Sequence, residues 1–234
     1  MVALPLLVLA LFGLVLVTLI VLLVLAAVAG SKRAAARRQG LAGLAHQREW
    51  EYRPPDPGLV DRFDGAPFGR GRARQAVNVL VGRHDGRPFT AFDHHHTTGS
   101  GDSSSRHTHS VLALDLGVHA PSLAVGPTTT MRRWVDSLTG RDIEIGDPAF
   151  DAFFTVHSPA PDFAVDVLLS DVREVMQHHP DVAWRITGDS LHVIRPGEHS
   201  PAEVDAKLHL MDALLDRIPE RVWERLRADG PHQR

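Results

Sequence analysis

His94, His95 and His96 run consecutively, and His107 and His109 follow after a spacer rich in glycine and serine. Neutral imidazole is a good ligand for zinc, nickel or copper, and it is also the side chain whose charge changes closest to neutral pH. Alternate side chains of an extended chain share a face, which pairs His94 with His96 and His107 with His109. If both runs are strands of one hairpin, the four imidazoles meet at its mouth, with Asp93 or Asp102 beside them. That makes His94, His96, His107 and His109 the candidate metal site and zinc the candidate ion. The plainer expectation is an exposed polar strand end. The spacer Thr97 to Ser105, TTGSGDSSS, is flexible by composition, and good sites want preorganised ligands; no HExxH or similar helix-borne pattern supports these histidines.

No other constellation carries chemistry as far. Asp142 and Glu144 share a strand face in the manner of an acid/base pair, but a solvated strand face is much the better account of them. There is no G-x-S-x-G nucleophile elbow, and Thr187-Gly188-Asp189-Ser190 reads as a hairpin turn. Phe68 to Arg72, FGRGR, lacks the third glycine and the Lys-Ser/Thr of the phosphate-binding loops, so it reads as a turn. The chain has no cysteine, which removes disulfides, thiolate metal sites and thiol nucleophiles. Trp184 and Trp223 read as core. No catalytic residue and no cofactor-binding residue is assigned, and zinc at the histidines is the only cofactor considered.

The elements that must position the histidines are strands. Val77, Val79 and Val81 alternate, Gly82 to Gly86 makes a turn, Pro88 to His96 follows, and His107 to Leu116 returns with Leu112, Leu114 and Leu116 on one face. His107 and His109 then face away from those leucines. The economical arrangement is a three-stranded meander. Further strands are predicted at Ser122 to Val125, Asp142 to Ile145 and Phe150 to Val156, and a hairpin at Val182 to Val193 turning on Gly188-Asp189. Two short helices, Asp162 to Leu169 and Ser170 to His178, stand in series, the second capped by Ser170 and Asp171. Ser200-Pro201-Ala202-Glu203 is a capping box, and Val204, Leu208, Met211, Leu215 and Ile218 form one apolar stripe behind it. Val222 and Trp223 anchor a final turn. Strands followed by helices, a hairpin and a helix make an α+β domain with a mostly antiparallel sheet, packed helices and a C-terminal amphipathic helix.

What anchors this domain is the stretch Val2 to Ala29, which carries no charge and exceeds the ~20 apolar residues that cross a hydrocarbon core. With no basic residue ahead of it and so long an apolar run, it reads as a transmembrane helix and not as a cleaved leader. Lys32, Arg33, Arg37 and Arg38 follow at once, and the positive-inside rule puts the N-terminus outside and the domain in the cytoplasm, on the plasma membrane. Residues 54–234 hold 19 of the 25 basic residues and 26 of the 28 acidic ones, a net of −7 that argues against nucleic acid as a partner. The expected organisation is a transmembrane helix over 1–30, a basic juxtamembrane helix and Pro-rich linker over 31–58, an α+β domain over 59–228 and a disordered tail over 229–234. The helix is expected to loosen near Gly40, and Arg53 to Gly58 to be a stiff linker. Ala26 and Gly30 leave room for a homodimer through the span.

Several runs together carry a resemblance: NVL-G (Asn78 to Gly82), FTAFDHHHTT (Phe89 to Thr98), GRDIEIGDPAFDAFFTV (Gly140 to Val156), FAVDVL (Phe163 to Leu168), WRITGDSLHV (Trp184 to Val193) and IPERVW (Ile218 to Trp223). With the N-terminal span, the chain resembles a family of single-pass membrane proteins of high-GC actinobacteria to which no activity is assigned. The resemblance implies membrane anchorage. The family tends to carry an aromatic at the position of His94 and sometimes of His96, a departure that weakens the metal reading. The favoured function is therefore a membrane-anchored, non-catalytic binding or scaffold protein with a protein partner and the bilayer as its contacts. The alternative is a zinc-type enzyme, or a metal or pH sensor, working through the four histidines.

Overall fold

The computed structural model describes residues 3–134 and 140–228. Helix α1 runs from Ala3 to Gln47 without a break. Between Phe12 and Val28 its large apolar side chains are exposed on every side, from 74% at Phe12 to 45% at Val28. A helix apolar all round belongs in lipid or in a core, and this one is long and apolar enough to cross a membrane. The helix does not loosen at Gly40. A Cβ there would stand 3.1 Å from Pro201 Cγ, so the missing side chain lets α1 lie against the helix that Pro201 opens. Burial of Leu41, Leu44 and Ala45 just beyond offsets the ~1 kcal/mol propensity cost of a helical glycine.

Seven strands form one antiparallel sheet: β1 (Glu51–Pro55), β2 (Arg72–His84), β3 (Arg87–Thr98), β4 (Ser105–Pro127), β5 (Arg141–Ile143), β6 (Phe154–Ser158) and β7 (Trp184–Pro196). The order is β1-β2-β3-β4-β6-β5, with β7 also paired to β4. The meander β2-β3-β4 is as the alternation predicts. Strand β4 is the spine of the sheet. Its first half lies between β3 and β7, its second half between β6 and β7, and the register breaks between Asp115 and Ala120 where it changes neighbours. The short strand expected at Ser122 to Val125 is the far end of this one element. Helices α2 (Thr128–Trp134), α3 (Pro148–Asp151), α4 (Pro161–Val167), α5 (Ser170–His178), α6 (Pro201–Leu215) and α7 (Glu220–Ala228) complete an α+β fold.

Five local expectations are corrected, the last of them in part. Arg53 to Pro55 is not linker but part of β1, which tolerates its prolines because it is an edge strand. The predicted hairpin turn at Gly188 is absent: Gly188 takes φ 64° inside a continuous β7, so a left-handed glycine bends one long strand against the irregular stretch of β4. Phe150 begins no strand, because Asp147 caps α3 by accepting from the amides of Ala149 and Phe150, and Pro148 opens the turn. The cap of α5 is Leu169, with no side-chain bond, while Ser170 Oγ donates to Asp171 instead. The capping box of α6 forms by half: Ser200 Oγ accepts from the Glu203 amide at 3.2 Å, but the Glu203 carboxylate turns to Ser110 and Lys207. The tail expected over 229–234 lies outside the described residues.

Both faces of the sheet are covered. One buries the larger core, where Leu80, Leu112, Leu114, Leu191 and Trp184 meet α1, α5, α6 and α7. The other holds a smaller core of Phe68, Val79, Phe92, Val111, Ile194, Met131 and Trp134, roofed by the segment 59–71 and by α2. At the far end of α1, Gly82 lies under Trp50: a Cβ would come 2.3 Å from the ring Cδ1. The Trp50 ring stands edge-on to Phe89 at 4.7 Å and donates from Nε1 to the Arg83 carbonyl. Gly82→Ala is expected to displace that ring and cost about 1–3 kcal/mol, read as a lower urea midpoint of the full chain in detergent.

Candidate functional site

Strands β3 and β4 pair with His94 opposite His109 and His96 opposite His107, so the four predicted histidines do come together. Even-numbered residues of β3 share the face of Phe92 in the smaller core, while Asp93 and His95 share the face of Phe89 and Ala91 in the larger one. Ring centroids are 5.5 Å apart for His94 and His96, 5.1 Å for His96 and His107, and 5.5 Å for His96 and His109. The last two pairs are close to parallel, at 24° and 9°. This is a stack of planes. Among the described residues no three His, Asp or Glu side chains are grouped to hold one ion. Asp93 points to the other face, and the Asp102 side chain lies outside what is described.

The exposed strand end expected from the sequence is not what the fold makes. His94 is fully buried and His96 is 5% exposed, because Phe68 from the covering segment meets His94 edge-on at 5.2 Å and Phe63 stacks on Phe92 at 5.9 Å. Among the described residues neither ring nitrogen of His94 has a hydrogen-bond partner, nor does Nδ1 of His96. Burial, and then the neighbouring histidines, push His94 down to about 4; burial and then His107 lower His96. His95, on the opposite face, is lowered by burial and by Arg106, which donates to its Nδ1. Only His107 of the stack is exposed, and its Nε2 bonds to Thr98 Oγ1 at 2.8 Å.

The outer part of this stack lines a cleft of about 560 Å³, within the ~300–1,000 Å³ of small-molecule sites. Its lining is mixed: polar from His96, Thr98, His107, His109 and Thr130, apolar from Ala66, Pro67, Trp134, Ile194 and Pro196, with the exposed Arg70 and Arg132 at the rim. No carboxylate lines it among the described residues.

On the other face, Asp93 is the hub of a polar clamp. It accepts from Arg37 at 2.7 Å, from Asn78 Nδ2 at 2.9 Å, and from the amide of His199 at 2.8 Å. His199 Nδ1 stands 3.2 Å from the same carboxylate and its Nε2 3.3 Å from Lys207 Nζ, which fits a neutral ring donating to Asp93 and accepting from the ammonium. Lys207 also donates to Ser110 Oγ at 2.7 Å and pairs with Glu203 at 3.3 Å. Burial alone would raise Asp93, but the hydrogen bonds from His199 and Asn78 hold it at about 2. Burial pulls Lys207 down to about 8 against the attraction of Glu203. This network joins α1, β2, β3, β4 and α6 and lines no part of the cleft, so its work is to hold the helix to the sheet.

Sequence reasoning missed the clamp. The signal was there in Lys207, one of two lysines, three residues after Val204 and beside Leu208 on the apolar stripe of α6. It missed His192 and Arg185 as well, which are 1% and 2% exposed on the smaller-core face of β7.

No family model and no curated protein matches the sequence. Among solved structures, the chain is similar to the crystal structure of the mycobacterial trehalose monomycolate transport factor A, TtfA, with a TM-score of 0.56 over 78% of this chain and 96% of that one. At 17% identity the likeness is one of fold.

Proposed function

We propose that the chain is a membrane-anchored, non-catalytic accessory factor in the transport of an envelope glycolipid, working beside a membrane protein partner. The observation that carries the reading is the shared fold with a trehalose monomycolate transport factor. It is supported by an apolar helix that continues unbroken into the domain and is clamped there by Asp93. Fold alone does not carry activity, so cargo and role need their own test. In cells that make this protein, its removal is expected to hold newly made, labelled glycolipid in the inner membrane. The full chain restores transport, and a chain lacking residues 3–30 does not. An unchanged glycolipid distribution overturns the reading.

The basic run after the span supports a cytoplasmic domain at the plasma membrane, with the N-terminus outside. A reporter fused after Arg234 that works only outside the cytoplasm would reverse that orientation. Ala26 and Gly30 support a span-mediated homodimer as one form of the assembly. A second reading, a zinc or proton sensor, is favoured by the gathering of His94, His96, His107 and His109 into one stack. It requires stoichiometric zinc binding by the untagged full chain that alanine at all four positions abolishes; lack of binding retires it.

A further inference from the structure

We infer that the cleft beside the histidine stack binds the phosphate-bearing headgroup of an anionic membrane lipid. The inference goes beyond the transport reading and needs only that the apolar half of α1 enters the bilayer.

Position comes first. Arg37 on α1 meets Asp93 of β3, and Trp50, just past the end of α1, meets Phe89. Moving along α1 away from its apolar half therefore moves β3 backwards from Asp93 to Phe89. Beyond Asp93, β3 heads toward the apolar half and runs about 16 Å further to Thr98. Arg37 stands only about 10 Å along the helix from Gly30. The β3–β4 hairpin end, with His96, Thr98 and His107, thus comes level with the end of the apolar segment. With the apolar half of α1 in the bilayer, the cleft is then level with the headgroups.

Chemistry comes second. Arg70 and Arg132 are exposed at the rim and enter no ion pair among the described residues. Arg72 and Arg106 stand at the same end of the molecule by the same geometry. Guanidinium groups hold phosphate by paired, charge-assisted hydrogen bonds. His96 and His107 line the same space. The apolar lining from Trp134, Ile194 and Pro196 suits the glycerol and first methylenes that follow a lipid phosphate, and a free anion has no use for it. A charged rim over a lining that is part polar and part apolar suits an amphiphile.

The test holds the full chain in a non-ionic amphipol and titrates it calorimetrically with short-chain phosphatidylglycerol, short-chain phosphatidylcholine and inorganic phosphate. Saturable one-to-one binding of phosphatidylglycerol is expected, weakened about tenfold or more in Arg70→Ala/Arg132→Ala and unchanged in Arg33→Ala, which lies outside the cleft. Both rim arginines are exposed, so the double variant keeps the fold. Equal loss in Arg33→Ala would reduce the effect to diffuse surface charge and overturn the site. Inorganic phosphate binding as tightly as the lipid would overturn the lipid source. Absence of phosphatidylglycerol binding, or binding indifferent to the double variant, would overturn the inference outright.

Discussion

Asp93→Ala is expected to destabilise the domain by about 3–5 kcal/mol, the usual cost of breaking a buried ion pair from one side. Asp93 is fully buried, and its removal strands the Asn78 amide and the His199 amide and leaves the Arg37 guanidinium only Glu198 and the His199 carbonyl. Against a typical total of ~5–15 kcal/mol this is a large fraction, and for a domain of this size it corresponds to a fall in Tm of about 10 °C. Asp93→Asn keeps the shape and one acceptor, so a smaller loss is expected. The clearer sign of a clamp is local. Without Asp93, amides of α1 around Arg37 to Leu44 should exchange with solvent faster than those of β4, whose core does not depend on it. Uniform acceleration through the whole domain would mean that Asp93 supports the sheet generally and does not fasten the helix. The pH dependence has a definite sign as well. With Asp93 held at about 2, below the ordinary carboxylate value of 3.8, its contribution is complete above pH ~4 and disappears as pH falls toward 2.

The meander, the helix pair α4–α5 and the C-terminal helix were legible because each has one periodicity that a single burial pattern explains. Val77 to Val81, Pro88 to His96 and His107 to Leu116 alternate at the period of a strand, and the register of β3 on β4 follows from them. What was not legible is non-local. Gly188 and Asp189 have the composition of a turn, and only the pairing of β7 along the whole of β4 shows that the chain goes straight on. Gly40 lowers helix propensity, but α6 packs against it and the helix continues. The histidine stack divides along the same line. Which rings share a face is a matter of parity and was readable, as was a loop whose aromatics Phe63 and Phe68 pack on the sheet; that the loop covers this face, some thirty positions downstream in the chain, was not, so rings expected in water are buried. The clamp needed three distant segments, around Arg37, Asp93 and His199, and no local pattern announces such a meeting.

The roofing of that face leads to the second large effect, loss of the fold in mild acid. His192 is held at about 3 by burial and then by the nearby arginines, and His94 at about 4 by burial and then by the adjoining histidines, against an ordinary 6.5. Both rings are neutral in the folded chain and take up protons once it unfolds. The unfolded state therefore binds more protons between pH 6.5 and 4, and stability falls as pH falls through that window. At 1.36 kcal/mol per unit, the two together remove about 6 kcal/mol between pH 7 and pH 4, comparable with the whole stability of a typical domain. Cooperative unfolding is expected between about pH 4 and 5, before most carboxylates are protonated. His94→Phe isolates the cause. Neither ring nitrogen of His94 has a partner to lose, Phe fills a similar volume beside Phe68, and nothing is left to protonate. Urea midpoints at pH 7, 5 and 4 should show the variant within about 1 kcal/mol of the native chain at pH 7 and ahead of it by about 3 kcal/mol at pH 4. His192→Phe should add to the gain, since the two sites lie on different strands. Native stability that stays flat from pH 7 to 4.5, or a His94→Phe variant that tracks the native chain throughout, would show that these rings meet water and that the face above them opens in solution.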